Sequence, residues 1–385
     1  MQGKKVVIIG SAYPLRGGLS NFNERLAREF INAGFETTIY TFSLQYPSIL
    51  FPGKTQLSSE PKPHDLDIRV VINSVNPANW VKWGRKIRNL EPDLVIMKFW
   101  IPFMAPCLGT LARIIRRNRK TRVITIIDNL VPHEKRPFDN LLAAYFARSV
   151  DGFLAMSRAV YEQVELFVKK KPKIFSPHPV YDVFGKKTDK VRARKKLSID
   201  ENGKYILFFG FIRDYKGLDL LLEAMANPEI KAQNIKLLVA GEYYTDPKPY
   251  NRIIEQNDLS DYVVLHTDFI PDSAVGLYFS AADLVVQPYK TATQSGVTQI
   301  AYHFEVPMII TDVGGLSEFV PHEKVGYIVQ PDPASIADGI LRFFKTADRS
   351  HFLNHLKEEK KKYGWDFFLG KILELKDIID TKQRN

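Results

Sequence analysis

The hydrophobic positions in the first forty residues change period twice. KKVVII is a short apolar run, GSAYPLRGG is a glycine-rich turn, and LSNFNERLAREFINAG carries Leu19, Phe22, Leu26 and Phe30 at helical spacing before Gly34. ETTIYTF follows as a second apolar run, so the stretch predicts a β-α-β unit. The alternation continues, with strands predicted over 68–72, 94–97, 123–127 and 153–155 and helices over 80–89, 103–117 and 138–148. Near-continuous apolar strands separated by helices predict a parallel sheet covered on both faces. Trp80, Trp83, Ile87 and Leu90 are spaced as a stripe facing that sheet.

Around 184–196 the chain turns polar and basic (FGKKTDKVRARKK), and the alternation restarts at 205–209. Further strands are expected in IKLLVAG, VVLHTDF, DLVVQPY, PMIITDV and GYIVQP, with helices near 218–225, 273–280, 297–304 and 335–344. The class is therefore α/β, with two doubly wound parallel-sheet domains facing across a cleft. Their expected bounds are 1–185 and 186–350, followed by a helical tail, 351–385, that packs back on the first domain. Ligands in such sheets sit at the carboxyl ends of the strands.

A length of 385 residues agrees with two cores, and 45% hydrophobic with 25% charged residues is an ordinary soluble composition. Cys107 is the single cysteine, which excludes a disulfide framework and a cysteine-rich zinc site and fits a reducing cytoplasm. The apolar run at 6–9 is too short for a signal peptide core or a membrane span, so neither is expected. Lys and Arg outnumber Asp and Glu 54 to 43, giving +11, a balance that favours polyanions, anionic lipid surfaces or phosphorylated substrates. The basic clusters at 116–120, 169–173, 192–196 and 360–362 adjoin helix ends or connections, where solvated cations suit the helix dipole. Peripheral contact with the inner face of an anionic membrane is the lesser reading. No zinc-finger spacing or RNA-recognition signature accompanies the charge, so nucleic acid is not an expected partner.

Candidate chemistry gathers at glycine-marked strand ends. In FFGFIRDYKG, Gly210 ends a strand and Gly217 opens a helix, leaving Arg213 and Lys216 beside a helix N-terminus, a setting suited to a phosphate. Alone, the pair reads more readily as solvated loop charges. A second element, TQSGVTQIAYHFEVPMIITDVGGLSE, leads through Gln294, Ser295, Gly296 and Val297 into a helix carrying Gln299, and Gly314 follows the next strand, where the main chain can approach a ligand. The first domain supplies Arg16-Gly17-Gly18-Leu19-Ser20, again a strand end before a helix. His133 and Glu134, in DNLVPHEKRPFD, fall on the same rim, although a lone loop histidine is more often structural. GxGxxG, GxxxxGK[ST] and HExxH are absent, so dinucleotide oxidoreductase, P-loop ATPase and zinc protease readings lack their parts. Asp65-Leu66-Asp67 looks like a metal-binding DxD but enters a strand away from the glycine loops, and no metal or cofactor is expected.

Taken in order, GGLSNFNERLAREF, FGFIRDYKGLDLLLEAM, LLVAGEYY and QSGVTQIAYHFEVPMIITDVGGLSEFV make the chain resemble the glycosyltransferase family 4 proteins. The resemblance implies GT-B architecture with two Rossmann-like domains. It implies retaining transfer of a sugar from a nucleoside-diphosphate donor on the second domain to a saccharide or lipid-linked saccharide on the first. By position, Arg213 and Lys216 match the pair that holds the donor diphosphate, Gly17 and Gly18 match the loop meeting the phosphates from the other side, and His133 lies near the family's rim histidine. One departure is evident: the family commonly carries two glutamates eight positions apart here, and 289–304 contains no Asp or Glu. Gln294, Thr298 or Gln299 would supply hydrogen bonds without the charge. The alternatives are a nucleotide-sugar epimerase or hydrolase of the same fold, and a non-catalytic nucleotide-sugar binding or scaffold protein.

Overall fold

A computed structural model of the chain describes residues 3–47, 55–130, 137–346 and 349–384. They form two compact units, 1–179 together with 364–385, and 180–363.

The first unit is built on β1 (Lys5–Ile9), β2 (Glu36–Leu44), β3 (Asp67–Asn73), β4 (Leu94–Phe99), β5 (Arg122–Ile127), β6 (Gly152–Ala155) and β7 (Lys173–Phe175). Among the described residues these strands pair in parallel in the order β3-β2-β1-β4-β5-β6-β7. The Val/Ile runs of β1, β4 and β5 are buried on both faces, as a sheet covered by helices requires. Helix Gly18–Asn32 turns Phe22, Leu26 and Phe30 onto this sheet at 0% exposure, each burial contributing roughly 2 kcal/mol. Helix Pro77–Asn89 begins with a proline whose missing amide costs nothing there, and Asn76 caps it by accepting from the Asn79 amide at 3.1 Å. Its expected apolar stripe holds for Ile87, Trp80 and Trp83, which pack on the core. Leu90 departs from it: the helix stops at Asn89, and Leu90, in the cap, is 44% exposed.

The strand order reverses between β1 and β4. Helix Trp365–Arg384 also belongs to this unit. Its Ile379 Cδ1 would lie 2.7 Å from a Cβ at Gly152, and the Trp365 ring lies 5.3 Å from that of Phe22. The segment just before it does not join the first unit. Helix Ser350–Lys360 ends in a 3-10 turn, Lys361–Tyr363, and Tyr363 packs on Tyr302 of the second unit at 5.0 Å between rings.

The second unit contains β8 (Lys204–Phe209), β9 (Ile235–Ala240), β10 (Val263–His266), β11 (Leu284–Gln287), β12 (Met308–Thr311) and β13 (Gly326–Val329). They too are parallel, ordered β10-β9-β8-β11-β12-β13 among the described residues, so the order reverses between β8 and β11. The basic run before β8 is part of this unit, because its cations have fixed partners. Lys190 and Arg194 both bind Asp283, at 2.6 and 2.8 Å, and the Thr188 amide donates to Ser280 Oγ at 3.0 Å. The division therefore falls at 179/180, ahead of the polar run. No helix among the described residues is long and apolar enough to cross a membrane.

Candidate functional site

β8 delivers its chain to the β8/β11 reversal, the crevice position where open parallel sheets bind ligands. Gly210, at φ +100°, turns the chain out of the strand, and its amide donates to Ala240 O at 2.9 Å. Arg213 and the 3-10 turn Asp214–Lys216 follow, closed by Gly217 at φ +66°. Only glycine fits at 217, since a Cβ there would stand 2.0 Å from the carbonyl oxygen of Pro288.

The turn holds two cations in different ways. The Arg213 guanidinium lies 5.1 Å from the ring of Tyr244, which is stacked on Phe211 at 4.3 Å. Lys216 is half-buried as a residue, yet its amine is drawn inward, 5.5 Å from the Tyr289 ring. Burial, and then the neighbouring charge of Arg213, pull its pKa down to about 8. The carboxylates at hand do not relieve this. Lys290 takes both, binding Asp214 and Asp219 at 2.8 Å each, so among the described residues neither Arg213 nor Lys216 has a carboxylate partner. Lys290 has no motif around it in the sequence; its role follows from the fold, which brings the β11 end beside the turn through a Lys290 amide bond to Tyr215 O of 2.8 Å.

From the β11 side comes helix Gly296–Phe304, capped by Ser295, whose Oγ accepts from the Val297 amide at 3.2 Å. Ser295 Oγ also lies 3.3 Å from the hydroxyl of Tyr289, a buried phenol whose pKa burial pushes up. A Cβ at Gly210 would be 2.9 Å from Lys216 Nζ and 3.9 Å from Val297 Cγ2, so amine and helix start flank the same glycine. Amide groups at an N-terminus and two uncompensated cations make an anion site. The Val297 amide is already engaged by its cap. Gln299 is 1% exposed, and its Oε1 has no hydrogen-bond partner among the described residues, whereas Gln287 and Thr298 satisfy each other at 3.1 and 3.2 Å. Gln294 is half-buried at the helix entry. Gly314 is also required by its own packing. At φ +54° it packs on its own unit, and a Cβ there would meet Ala292 O at 1.8 Å.

In the first unit, Gly17 at φ +98° starts helix Gly18–Asn32 at the end of β1, and a Cβ there would meet nothing within 4 Å. At the neighbouring strand end stands Lys98, which no sequence motif marks. It is 1% exposed, 2.8 Å from Asp128 Oδ1, and its amine sits 3.7 Å from the centre of the Phe22 ring. Burial lowers its pKa, with Asp128 opposing. His178, bonded through Nδ1 to Pro179 O at 2.7 Å, is driven down to about 3 by burial and then by the Lys98 charge, so it is neutral near pH 7. Asp65 and Asp67 are occupied by Arg28 at 2.6 Å and Arg69 at 2.9 Å. His133 and Glu134 lie outside the described residues.

Two family matches divide along these units. Residues 16–177 match the family described as Glycosyltransferase Family 4, and residues 203–346 match Glycosyl transferases group 1. The chain belongs to the family 4 glycosyltransferases. An uncharacterized glycosyltransferase of Methanocaldococcus jannaschii is 30% identical over 182 residues, 46% of each chain. The lipopolysaccharide 1,2-N-acetylglucosaminetransferase of Salmonella typhimurium is 28% identical over 47% of this chain and 50% of its own. The chain thus spans about half the length of these curated relatives. Among solved structures, HepE of Anabaena in complex with UDP and glucose superposes with a TM-score of 0.73 at 16% identity, covering 96% of this chain and 99% of that one. That likeness gives the family 4 chain its GT-B fold of two Rossmann-like domains.

Proposed function

We propose that this family 4 glycosyltransferase moves a sugar, with retention of configuration, from a nucleoside-diphosphate donor to a saccharide or lipid-linked saccharide. The carrying observation is the pair Arg213 and Lys216, which have no carboxylate partner among the described residues, beside the start of helix Gly296–Phe304. The family match supports the reaction class, and the UDP and glucose held by HepE support the donor class.

In this reading the diphosphate lies against the β8/β11 reversal. As the sugar C1–O bond breaks, its electron pair passes to the departing phosphate oxygen, while the acceptor's hydroxyl oxygen bonds to C1 from the same face and its proton passes to that phosphate oxygen. Lys216 and Arg213 meet that growing charge, and the Gly296 amide adds a fixed dipole. Preorganised cations favour the departing diphosphate over the intact donor, which is what accelerates the step. The buried Oε1 of Gln299 accepts a hydrogen bond from a sugar or ribose hydroxyl, in place of the charged contact the family commonly makes. Gln294 stands at the same helix entry. The first unit, with Gly17 and Gly18 at its sheet edge, holds the acceptor, and the two cations leave no step for which a metal is required.

A second reading is favoured by one observation: the buried polar positions Gln287, Thr298 and Gln299 carry amides and a hydroxyl, not carboxylates. A protein that binds the nucleotide sugar without turning it over would look the same at the diphosphate. Screening nucleoside diphosphates and their sugars by thermal shift, then assaying hydrolysis and transfer with the stabilising donor, separates the two. Transfer supports the enzyme, binding without turnover across saccharide acceptors supports the scaffold, and no stabilisation by any member defeats both.

A further inference from the structure

A second basic site lies on the helix-covered face of the first unit. Helices Pro77–Asn89, Ala105–Ile115 and Asp139–Ser149 pack side by side there, and their C-terminal halves supply the arginines. A cavity of about 290 Å³ is lined by Arg85, Arg88, Arg113, Arg117 and Tyr145. Directly adjoining it, and sharing Arg113 and Tyr145, is a cleft of about 380 Å³ walled by Leu141, Leu142 and Arg148. The shared side chains are fixed: the Arg113 guanidinium stacks 4.2 Å from the Tyr145 ring and donates to Ser149 Oγ at 2.9 Å, while the Tyr145 hydroxyl lies 2.9 Å from Thr110 Oγ1.

The ordinary explanation, cations placed against helix dipoles, is too small for this cluster. Three helix C-termini offer roughly half a negative charge each. Five arginines face them, and among the described residues none of the five has a carboxylate partner; only Arg116 nearby does, with Asp151. Dipoles also give no reason for the apolar side chain beside Arg113 and Arg148, where Leu141 is 68% exposed. A basic pocket opening into an apolar cleft is complementary to an anionic amphiphile, with phosphate in one and hydrocarbon beside it.

We propose that this face docks on an anionic phospholipid surface, with a lipid phosphate among Arg85, Arg88, Arg113 and Arg117 and with Leu141 entering the acyl boundary. This surface belongs to the first unit and the β8/β11 site to the second, and the proposal does not depend on the sugar-transfer reading. The test is co-sedimentation of the full chain with vesicles of equal phosphatidylglycerol and phosphatidylcholine, against vesicles of phosphatidylcholine alone. Wild type should pellet with the anionic vesicles only. Reversing two exposed arginines, R85E with R117E, should lower that partition by more than about tenfold, and Leu141→Ser should lower it without changing salt dependence. The same charge change in the second unit, K195E with K196E, should have a smaller effect, since both lysines are exposed but belong to the other unit. Equal losses from the two double variants, or equal pelleting of wild type and R85E/R117E, would overturn the proposal. So would calorimetric binding of inorganic phosphate at these arginines by a wild type that ignores anionic vesicles, since the site would then serve a free phosphate.

Discussion

The amine of Lys216 occupies the space that a side chain at Gly210 would need: a Cβ built there lies 2.9 Å from Nζ. The glycine is thus part of how the cation is aimed, and its φ of +100° keeps other residues out for a second reason. Gly210→Ala should weaken nucleoside-diphosphate binding by about tenfold or more, equivalent to roughly 1.4 kcal/mol. Calorimetry on a variant shown to be folded by its melting transition checks this, and unchanged affinity would mean that the amine finds its place without the gap.

Protonation gives a separate handle on the same group. With its pKa at about 8 in the unliganded protein, Lys216 is charged below that value. An anionic ligand favours the charged form and raises the pKa on binding. Diphosphate affinity should therefore be flat in this group's contribution below pH 8 and fall as pH rises above it, by up to about tenfold per unit until the bound pKa is reached. For folding the sign is opposite: the unfolded chain, with an ordinary lysine, holds its proton to higher pH, so between about 8 and 10.5 this group makes stability rise with pH. Titrations of UDP binding from pH 7 to 9.5 measure the first effect, and Lys216→Met should flatten that slope.

In the first unit, the buried Lys98 and the partly exposed Asp128 carboxylate, 2% and 15% accessible in their side chains, should respond unequally to mutation. Asp128→Ala strands an ammonium inside the fold and should cost about 3–5 kcal/mol. Lys98→Met leaves a carboxylate with some access to water and should cost less. Chemical denaturation gives both values, and a larger loss for Lys98→Met would show that the ammonium is not the group in need of compensation.

The same residues show where sequence reading succeeds and stops. β1, β4 and helix Gly18–Asn32 were legible because apolar period alone fixes them, and Arg213, Lys216 and Ser295 because glycines mark their strand ends. β7, Lys173–Phe175, has three residues in a basic stretch and carries no apolar run to find. Helix Lys248–Gln256 buries only Tyr250 and Ile254, too few for a visible stripe. Lys290 and Lys98 were hidden for a physical reason: what each does depends on partners far along the chain, Asp214 and Asp219 for one and Asp128 for the other. The run rich in lysine and arginine resembles a linker in sequence, and Asp283 is what ties it to the second unit.

Charge neutralisation by side chains makes a claim about metals. If Lys216 and Arg213 carry the departing diphosphate, turnover with the stabilising donor should persist in excess EDTA within about twofold. A loss restored by added magnesium or manganese would transfer that role to an ion.

The central claim is that the second unit binds a nucleoside diphosphate through Lys216. Calorimetric affinity for UDP, and for the other nucleoside diphosphates should UDP not bind, compared between the wild-type chain and Lys216→Ala, tests it most directly. Wild type should bind, and the variant should lose about 2–4 kcal/mol, roughly thirtyfold to a thousandfold, with the melting temperature in the absence of ligand nearly unchanged. Equal affinity in the two proteins would contradict it.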